Sequence, residues 1–425
     1  MDAATPRPKP TEKQLAFMDW EQGLFLHFGI RTFYEGVKDW DGSDMDAAAF
    51  MPSELSCSQW MEAASEAGFN YAVLTAKHHD GFALWPTRYS GYSVANSPWK
   101  DGQGDVVREF IEACHQHGVK PGLYYSPAEP SLLKAEWSAD DYDEYFLNQV
   151  SELLANYGPI EIIWFDGCGS EEHEYDWERI IGEIRRMQPG IRIFNMGDPD
   201  IRWIGNEAGI APLRNWNEVD SLPYSIRTDK KEQVANDGGV LWLPGECDFR
   251  MRQENWFYSD SDEETVKSLD ELMGLYYYSV GRGANLLLNI GPDRRGLLPD
   301  KDTARLLEFG REIRGRFARP FARGADFAHT ELQYSFSKPE PFLLNHVILS
   351  ENLMEGQAVT GFGIYIKANS YMPPICVYEG KTIGHKAICV FPTVSAYEVT
   401  VEITDYVHAC KMEDIQLFYI VGGQA

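Results

Sequence analysis

The chain has no apolar run that approaches the length needed to span a bilayer. Its first residues, MDAATPRPKPTEKQ, lack the apolar core of a secretory leader, so a cytoplasmic location is expected. Basic residues are scarce: 38 Lys and Arg stand against 65 Asp and Glu, a formal charge of −27. Nucleic acid and anionic membrane surfaces are repelled by such an excess, which leaves neutral or cationic molecules as the expected partners. Cysteine is sparse as well. The seven residues Cys57, Cys114, Cys168, Cys247, Cys376, Cys389 and Cys410 are odd in number and lack the close pairs of metal knuckles, which fits a reducing compartment. There is no low-complexity tract and no internal repeat at solenoid period. No Gly-rich dinucleotide fingerprint follows the first strand, and neither a Walker loop nor a GxSxG elbow occurs. Nucleotide-dependent chemistry and Ser-hydrolase chemistry therefore lack their motifs.

What is present is a globular composition, with 44% hydrophobic and 13% aromatic residues in 425. That length has room for one large catalytic-size domain and a smaller one. Short apolar runs predict strands at 23–28, 71–76, 120–126, 160–164, 191–196, 239–248 and 285–290. Helical spacing predicts helices at 56–67, 106–117, 140–156, 175–187, 265–280 and 301–317. Alternation of this kind over about 300 residues suggests a parallel (β/α)8-like, TIM-type barrel more than an open sheet. Beyond it the texture changes to period two at 363–366, 375–378 and 397–403, with 378–380 as a turn. The expected organisation is a barrel over 1–322 and a small antiparallel β-sandwich over 323–425.

The centre of the pattern is IEIIWFDG, residues 160–167, where an apolar strand stops on Asp166 and Gly167. The ordinary use of such an Asp is to cap the next helix. A carboxylate there is otherwise costly to bury unless it is paired or catalytic. In a parallel barrel the carboxyl ends of the strands converge on one mouth. His27 ends the first strand, His78 and His79 the second, Tyr124 lies near the end of the third, and Asp166 ends the fourth. Glu207 and Glu246 come from later loops. Taken one by one, His27 has the alternative of a satisfied core histidine and Tyr124 that of packing. His78 and His79, with Lys77 and Asp80, offer several donors at one strand exit. Their alternative as metal ligands lacks HxH or HExxH spacing, and neighbouring side chains on a strand diverge. Two carboxylates facing a neutral, hydroxyl-rich ligand are what cleavage of a glycosidic bond requires.

At these residues the sequence resembles the α-L-fucosidases of glycoside hydrolase family 29. The similar stretches are FLHFG (25–29), KHHDGFALW (77–85), GLYYS (122–126), WFDG (164–167), GANLLLNIGPDRRG (283–296) and, in the C-terminal region, PFLLNHVILSENLMEGQAV (341–359). The resemblance implies a retaining mechanism without metal or cofactor, with Asp166 as the nucleophile. It implies that His27, His78, His79 and Tyr124 bind fucose hydroxyls. RWIGNEAG, followed by GECDFRMR and WFY, is similar to the branch that cleaves α-1,3/4-linked fucose from branched Lewis-type glycans, which assigns the acid/base to Glu207 and leaves Glu246 in reserve. Trp203 is expected beside Glu207, raising its pKa by desolvation, and Trp203 and Glu246 join the expected binding residues. Two other functions fit the same resemblance: a broader α-L-fucosidase or transfucosidase, and a catalytically dead fucose-binding protein. The expected partner is a fucosylated oligosaccharide or glycoconjugate.

Overall fold

A computed structural model describes residues 7–35, 45–129, 137–169, 173–223, 231–233 and 241–421. Eight parallel strands form its larger sheet: β1 Gln22–Leu26, β2 Tyr71–Lys77, β3 Lys120–Tyr125, β4 Ile162–Phe165, β5 Arg192–Phe194, β6 Arg202–Trp203, β7 Gly245–Arg250 and β8 Asn285–Asn289. They lie in the order β5-β4-β3-β2-β1-β8-β7-β6, and a parallel bridge between Phe194 and Ile201 joins the two ends into a nearly closed barrel. Around it run α1 Glu12–Trp20, α2 Cys57–Ala67, α3 Val106–His117, α4 Ala139–Asn156, α5 Trp177–Met187, α6 Leu269–Tyr278 and α7 Asp300–Phe317. Side chains of Ser56, Asp105, Ser138, Asp176 and Ser268 cap α2 to α6, and left-handed Gly68 and Gly118 end α2 and α3. Among the described residues no α-helix follows β5 or β6.

Three elements differ from the sequence reading. A helix, for which the sequence reading has no counterpart, precedes β1: Thr11 and Gln14 form a capping box that starts α1. Its Phe17 and Trp20 join the aromatic cluster inside the barrel, and Gln14 donates to Asp200 O and Trp242 O, so α1 closes the end of the barrel opposite the strands' carboxyl ends. The stretch 239–248 is not one strand. Leu241–Trp242 pairs antiparallel with Glu218–Val219, β7 begins only at Gly245, and residues 239–240 lie outside the described ones. Residues 378–380, expected as a turn, continue the strand Ile375–Gly380.

Alternation along the strands decides what enters the barrel. Phe25, Tyr71, Val73, Tyr124, Ile162, Trp164, Phe194, Trp203 and Leu287 fill the interior, while Leu24, Leu26, Leu74, Leu123, Ile163, Leu286 and Leu288 pack outward against the helices. Gly23 makes room for the Tyr71 ring on the neighbouring strand; a Cβ at 23 would lie 2.3 Å from that ring.

Seven antiparallel strands from Ala322 to Phe418 form the second sheet. Its two long strands, Gln333–Glu351 and Ala387–Tyr406, slip register between Ser337 and Phe342 and between Leu344 and His346. Such irregularities bend a strand, and both halves of the sheet contribute to one apolar cluster, with Phe336 and Val401 from one half and Val347, Leu349 and Cys389 from the other. Ile348, Ile388 and Phe418 belong instead to the cluster of the barrel, and Ile388 N donates to Gly281 O at 3.0 Å. Gly23→Ala should destabilise the protein by about 1–3 kcal/mol in urea denaturation, the usual range for overpacking a filled core; an unchanged midpoint would show that the interior yields to the added methyl.

Candidate active site

The inward positions nearest the carboxyl ends of the strands are His27 after β1, Asp166 after β4, Arg250 on β7 and Asn289 on β8. A one-residue slip between Thr75 and Lys77 in the pairing of β2 with β3 alters which side chains follow. Lys77 turns outward, 4.4 Å from the centre of the Tyr125 ring and 2.9 Å from Glu129 Oε2. It is therefore not among the donors at the strand exit. His78 and His79 come to the mouth, where the His78 ring stacks on Tyr124 at 5.5 Å with an interplanar angle of 12° and faces Phe257 edge-on.

Asp166 is the charged centre of this group. Its Oδ2 accepts from the Tyr124 hydroxyl at 2.9 Å and lies 3.5 Å from His79 Nε2, and its Oδ1 accepts from Cys168 N at 2.8 Å. Burial opposes its ionisation, but the His79 cation and these donors outweigh it and hold the carboxyl below the usual range. The side chain stays 27% exposed, so the charge is fixed without being sealed away from a ligand. His79 mirrors this: burial disfavours its proton, yet the Asp166 carboxylate raises it to about 10. Its Nδ1 lies 2.6 Å from Ser126 Oγ, which itself donates to Ala128 O at 2.8 Å, so Nδ1 donates and Nε2 faces Asp166.

The other two imidazoles are neutral. Burial lowers His27 to about 3, and its Nδ1 lies 2.7 Å from Asn289 Oδ1. Asn289 Nδ2 donates to Trp256 O, which leaves Oδ1 to accept from His27 and Nε2 of His27 as an acceptor. Burial likewise takes His78 well below its ordinary value, helped by the neighbouring His79 and His27. His27 also lies against the Trp256 ring at 5.0 Å and edge-on to Phe257 at 5.3 Å. The result is a small aromatic-walled cup with one carboxylate, one imidazolium and two neutral imidazoles. Neutral donors and acceptors at an aromatic wall suit a polyhydroxylated ligand that carries no charge.

Glu207 reaches the same cup from the loop after β6. Its backbone is left-handed at φ +48°, between Gly205 at +92° and Gly209 at +72°. Asn206 holds that turn by accepting from Ala208 N at 2.9 Å and donating to Ile210 O at 2.7 Å. Burial raises the Glu207 carboxyl, Arg250 and the Trp256 indole draw it down, and the charge on Asp166 raises it further. One carboxyl is thus pushed toward ionisation and its neighbour toward holding a proton.

Two expected residues sit elsewhere. Glu246 is not at the mouth. It is 1% exposed inside the barrel, where Oε2 accepts from the Tyr71 hydroxyl at 2.6 Å and Oε1 from the Trp164 indole at 2.8 Å, so both oxygens are occupied away from any ligand. Trp203 is buried too, and its indole donates to Asp248 at 2.7 Å. It is not among the groups that shift Glu207, whose aromatic partner is Trp256. Sequence reasoning passed over Asp248, Arg250, Trp256, Phe257 and Asn289. Two of these were within reach: Arg250 lies four residues after Glu246 on one face of a strand, and Asn289 ends its strand as His27 ends the first. Among the described residues no group of three or more His, Cys, Asp or Glu is arranged to hold a metal ion.

The family model described as Alpha-L-fucosidase matches residues 5–314. Putative alpha-L-fucosidase 1 of Oryza sativa subsp. japonica is 35% identical over 426 residues, covering 91% of this chain and 80% of the relative. Alpha-L-fucosidase 1 of Arabidopsis thaliana is 38% identical over 323 residues, covering 75% of this chain and 63% of the relative. The crystal structure of a glycoside hydrolase 29 family member from an unknown rumen bacterium is similar with a TM-score of 0.87 at 32% identity, covering 99% of this chain and 78% of that one.

The His79 and Asp166 contact has a definite pH signature. The raised imidazole stabilises the fold fully below 6.5 and loses that contribution as pH rises through about 10; the lowered carboxyl contributes fully above 3.8 and loses it as pH falls through its depressed value. At pH 8, nitrogen-15 spectra of the imidazoles should show His79 protonated on both nitrogens and His27 neutral. A neutral His79 ring at that pH would remove the electrostatic account of Asp166.

Proposed function

Because the chain belongs to the α-L-fucosidase family and is an α-L-fucosidase glycoside hydrolase, we propose that it acts with retention, through Asp166 and Glu207, on terminal α-1,3/1,4-linked L-fucose of branched, Lewis-type glycans. The observation that carries the mechanism is the opposite bias of two neighbouring carboxyls, one lowered and one raised, at a single cup. His27, His78, His79 and Tyr124 hold the fucose hydroxyls, and the Trp256 and Phe257 rings cover its apolar face.

In the first step Asp166 attacks the anomeric carbon while Glu207 gives its proton to the glycosidic oxygen. The bond to the leaving sugar breaks as the ester to Asp166 forms. Glu207 is left as a carboxylate, and because esterification removes the negative charge that had been raising it, it stays ionised and serves as base for the incoming water. Water then attacks the anomeric carbon, its proton passes to Glu207, and Asp166 leaves as carboxylate. The linkage preference rests on the likeness of RWIGNEAG and GECDFRMR to the α-1,3/4 branch.

The test compares an α-1,3/4-fucosylated trisaccharide, an α-1,2-linked disaccharide and an aryl α-L-fucoside with a good leaving group. Wild type should release fucose from the trisaccharide and the aryl fucoside, with the α anomer formed first. Glu207→Gln should lower kcat/KM on the trisaccharide by about 10² to 10⁴-fold while sparing the aryl substrate, which needs no proton in the first step. Asp166→Ala should abolish both. Turnover of the trisaccharide by Glu207→Gln would refute the acid/base assignment, and a preference for the α-1,2 linkage would refute the Lewis-type reading.

A further inference from the structure

The interior of the barrel holds two carboxyls that the proposed chemistry does not use, both on β7. Glu246, Asp248 and Arg250 follow one another at every second position, so all three face inward, one layer above the next. Cys247 and Phe249 point the other way, into apolar clusters behind the strand. Arg250, the last of the column, reaches the Trp256 wall of the cup, and Asp248 below it is close enough to Glu207 to feel its charge. The two carboxyls below it are 1% and 5% exposed.

Each carboxyl accepts an indole N–H from a different strand. Glu246 Oε1 accepts from Trp164 of β4, and Asp248 Oδ1 accepts from Trp203 of β6. These are the strands that lead into the two carboxylates of the proposed reaction. Trp164 stands two residues before Asp166 and shares its inward face, and its ring stacks on Tyr124 at 5.4 Å and 21°, the residue whose hydroxyl donates to Asp166. Trp203 stands four residues before Glu207. From it the chain runs through Ile204, whose N–H donates to Glu246 O at 3.0 Å, into the left-handed turn that presents Glu207. A buried carboxyl needs partners to be tolerated, and an indole buried among rings needs an acceptor for its single N–H. Each requirement meets the other here.

We propose that Glu246 and Asp248 are paired positioning residues: Glu246 sets Asp166 through Trp164 and Tyr124, and Asp248 sets Glu207 through Trp203 and the turn that follows it. The inference rests on the roles given above to Asp166 and Glu207. Because those roles differ, the two carboxyls carry separable signatures. A displaced nucleophile slows the first step for every substrate, whereas a displaced acid slows it only when the leaving group needs a proton. The groups facing Asp248 are Trp203, Glu207 and Glu246, and those facing Glu246 are Tyr71, Trp164 and Asp248. Burial raises both carboxyls to about 7. Their neutral forms are thus within easy reach, and an amide of the same shape is a fair substitute: its carbonyl accepts from the indole, and beside Glu246→Gln the Tyr71 hydroxyl turns to accept from the amide nitrogen.

The experiment measures kcat/KM at pH 6 for the fucosylated trisaccharide and the aryl fucoside, in the full-length chain. Asp248→Ala should lose about 10 to 100-fold on the trisaccharide and less than about threefold on the aryl substrate, a share of what a general acid supplies. Glu246→Ala should lose a similar factor on both alike. Asp248→Asn and Glu246→Gln should recover to within about threefold of wild type, since the acceptor is restored. Equal losses on both substrates for Asp248→Ala, no loss for either alanine variant, or amide variants as poor as the alanines would overturn the proposal. Where an alanine variant does not fold, Trp203→Phe and Trp164→Phe remove the N–H donor while keeping a smaller aromatic ring at each position, and should give the same two patterns. Glu207→Gln separates the layers of the argument. If it keeps trisaccharide turnover, the acid/base reading has failed first; if it loses it while the Asp248 variants behave like wild type, only the positioning role has failed.

Discussion

A nearly closed ring of eight parallel strands admits every second side chain to its interior and no others, and this constraint orders the rest of the molecule. It separates the apolar outward row that binds the helices from an inward row in which chemistry can be stacked by height. The lowest inward positions are sealed by the aromatic residues of α1, the middle ones by Phe25, Tyr124, Trp164, Phe194 and Trp203, and the top ones carry His27, Asp166, Arg250 and Asn289. A single slip in β2 shows how strict the rule is. With one residue skipped, Lys77 goes behind the sheet to Glu129, and His78 and His79 take the mouth.

The electrostatics of the cup follow from the same stacking. An enclosed aromatic site penalises every charge, so a charge persists only where a partner pays back the desolvation. His79 and Asp166 are such a pair, each shifted toward its ionised form against burial. Burial outweighs the nearby carboxylates at His27 and at His78, whose Nδ1 lies 3.9 Å from Asp80 Oδ2, and both stay neutral, which suits them to hydroxyl groups. Glu207 is pushed the other way, by burial and by the field of Asp166. The division of labour between acid and base is a consequence of which carboxyl sits beside the imidazolium.

Much of this was legible in the sequence because it depends on local rules. Helices that begin on Ser or Asp and stop on Gly were found close to their ends, as with Val106–His117, and the apolar runs located seven of the eight barrel strands, the run at 239–248 only in part. What escaped reading depends on registry between distant segments. β6 is only Arg202–Trp203, too short to carry a period, and its place is set by pairing with β7. The height of Glu246 in the barrel is invisible in GECDFR, since an acid near a strand end looks the same whether it crowns the strand or starts it. Only the pairing of Glu246 with Asn285, at the beginning of β8, shows that it lies at the lower end. α1 is a different case, because its capping box, Thr11 with Gln14, is a local signal present in the sequence before the first predicted strand.

The buried acids also bear on how a chain with 65 acidic and 38 basic residues serves a neutral sugar. A column of ionised Glu246 and Asp248 beneath Asp166 and Glu207 would place four like charges along one barrel axis, and that field would hold protons on all of them. Burial resolves the conflict by raising the two lower carboxyls to about 7 while hydrogen bonds from Tyr71, Trp164 and Trp203 satisfy their oxygens. In their neutral forms the carbonyl oxygen of each still accepts an indole N–H, with the Glu246 O–H donating to the Tyr71 oxygen, and Asp166 stays the dominant negative charge facing the ligand. An apolar floor would leave two indole N–H groups unpaired, and a fully charged one would undo the nucleophile. Carboxyls held near neutrality meet both conditions at once.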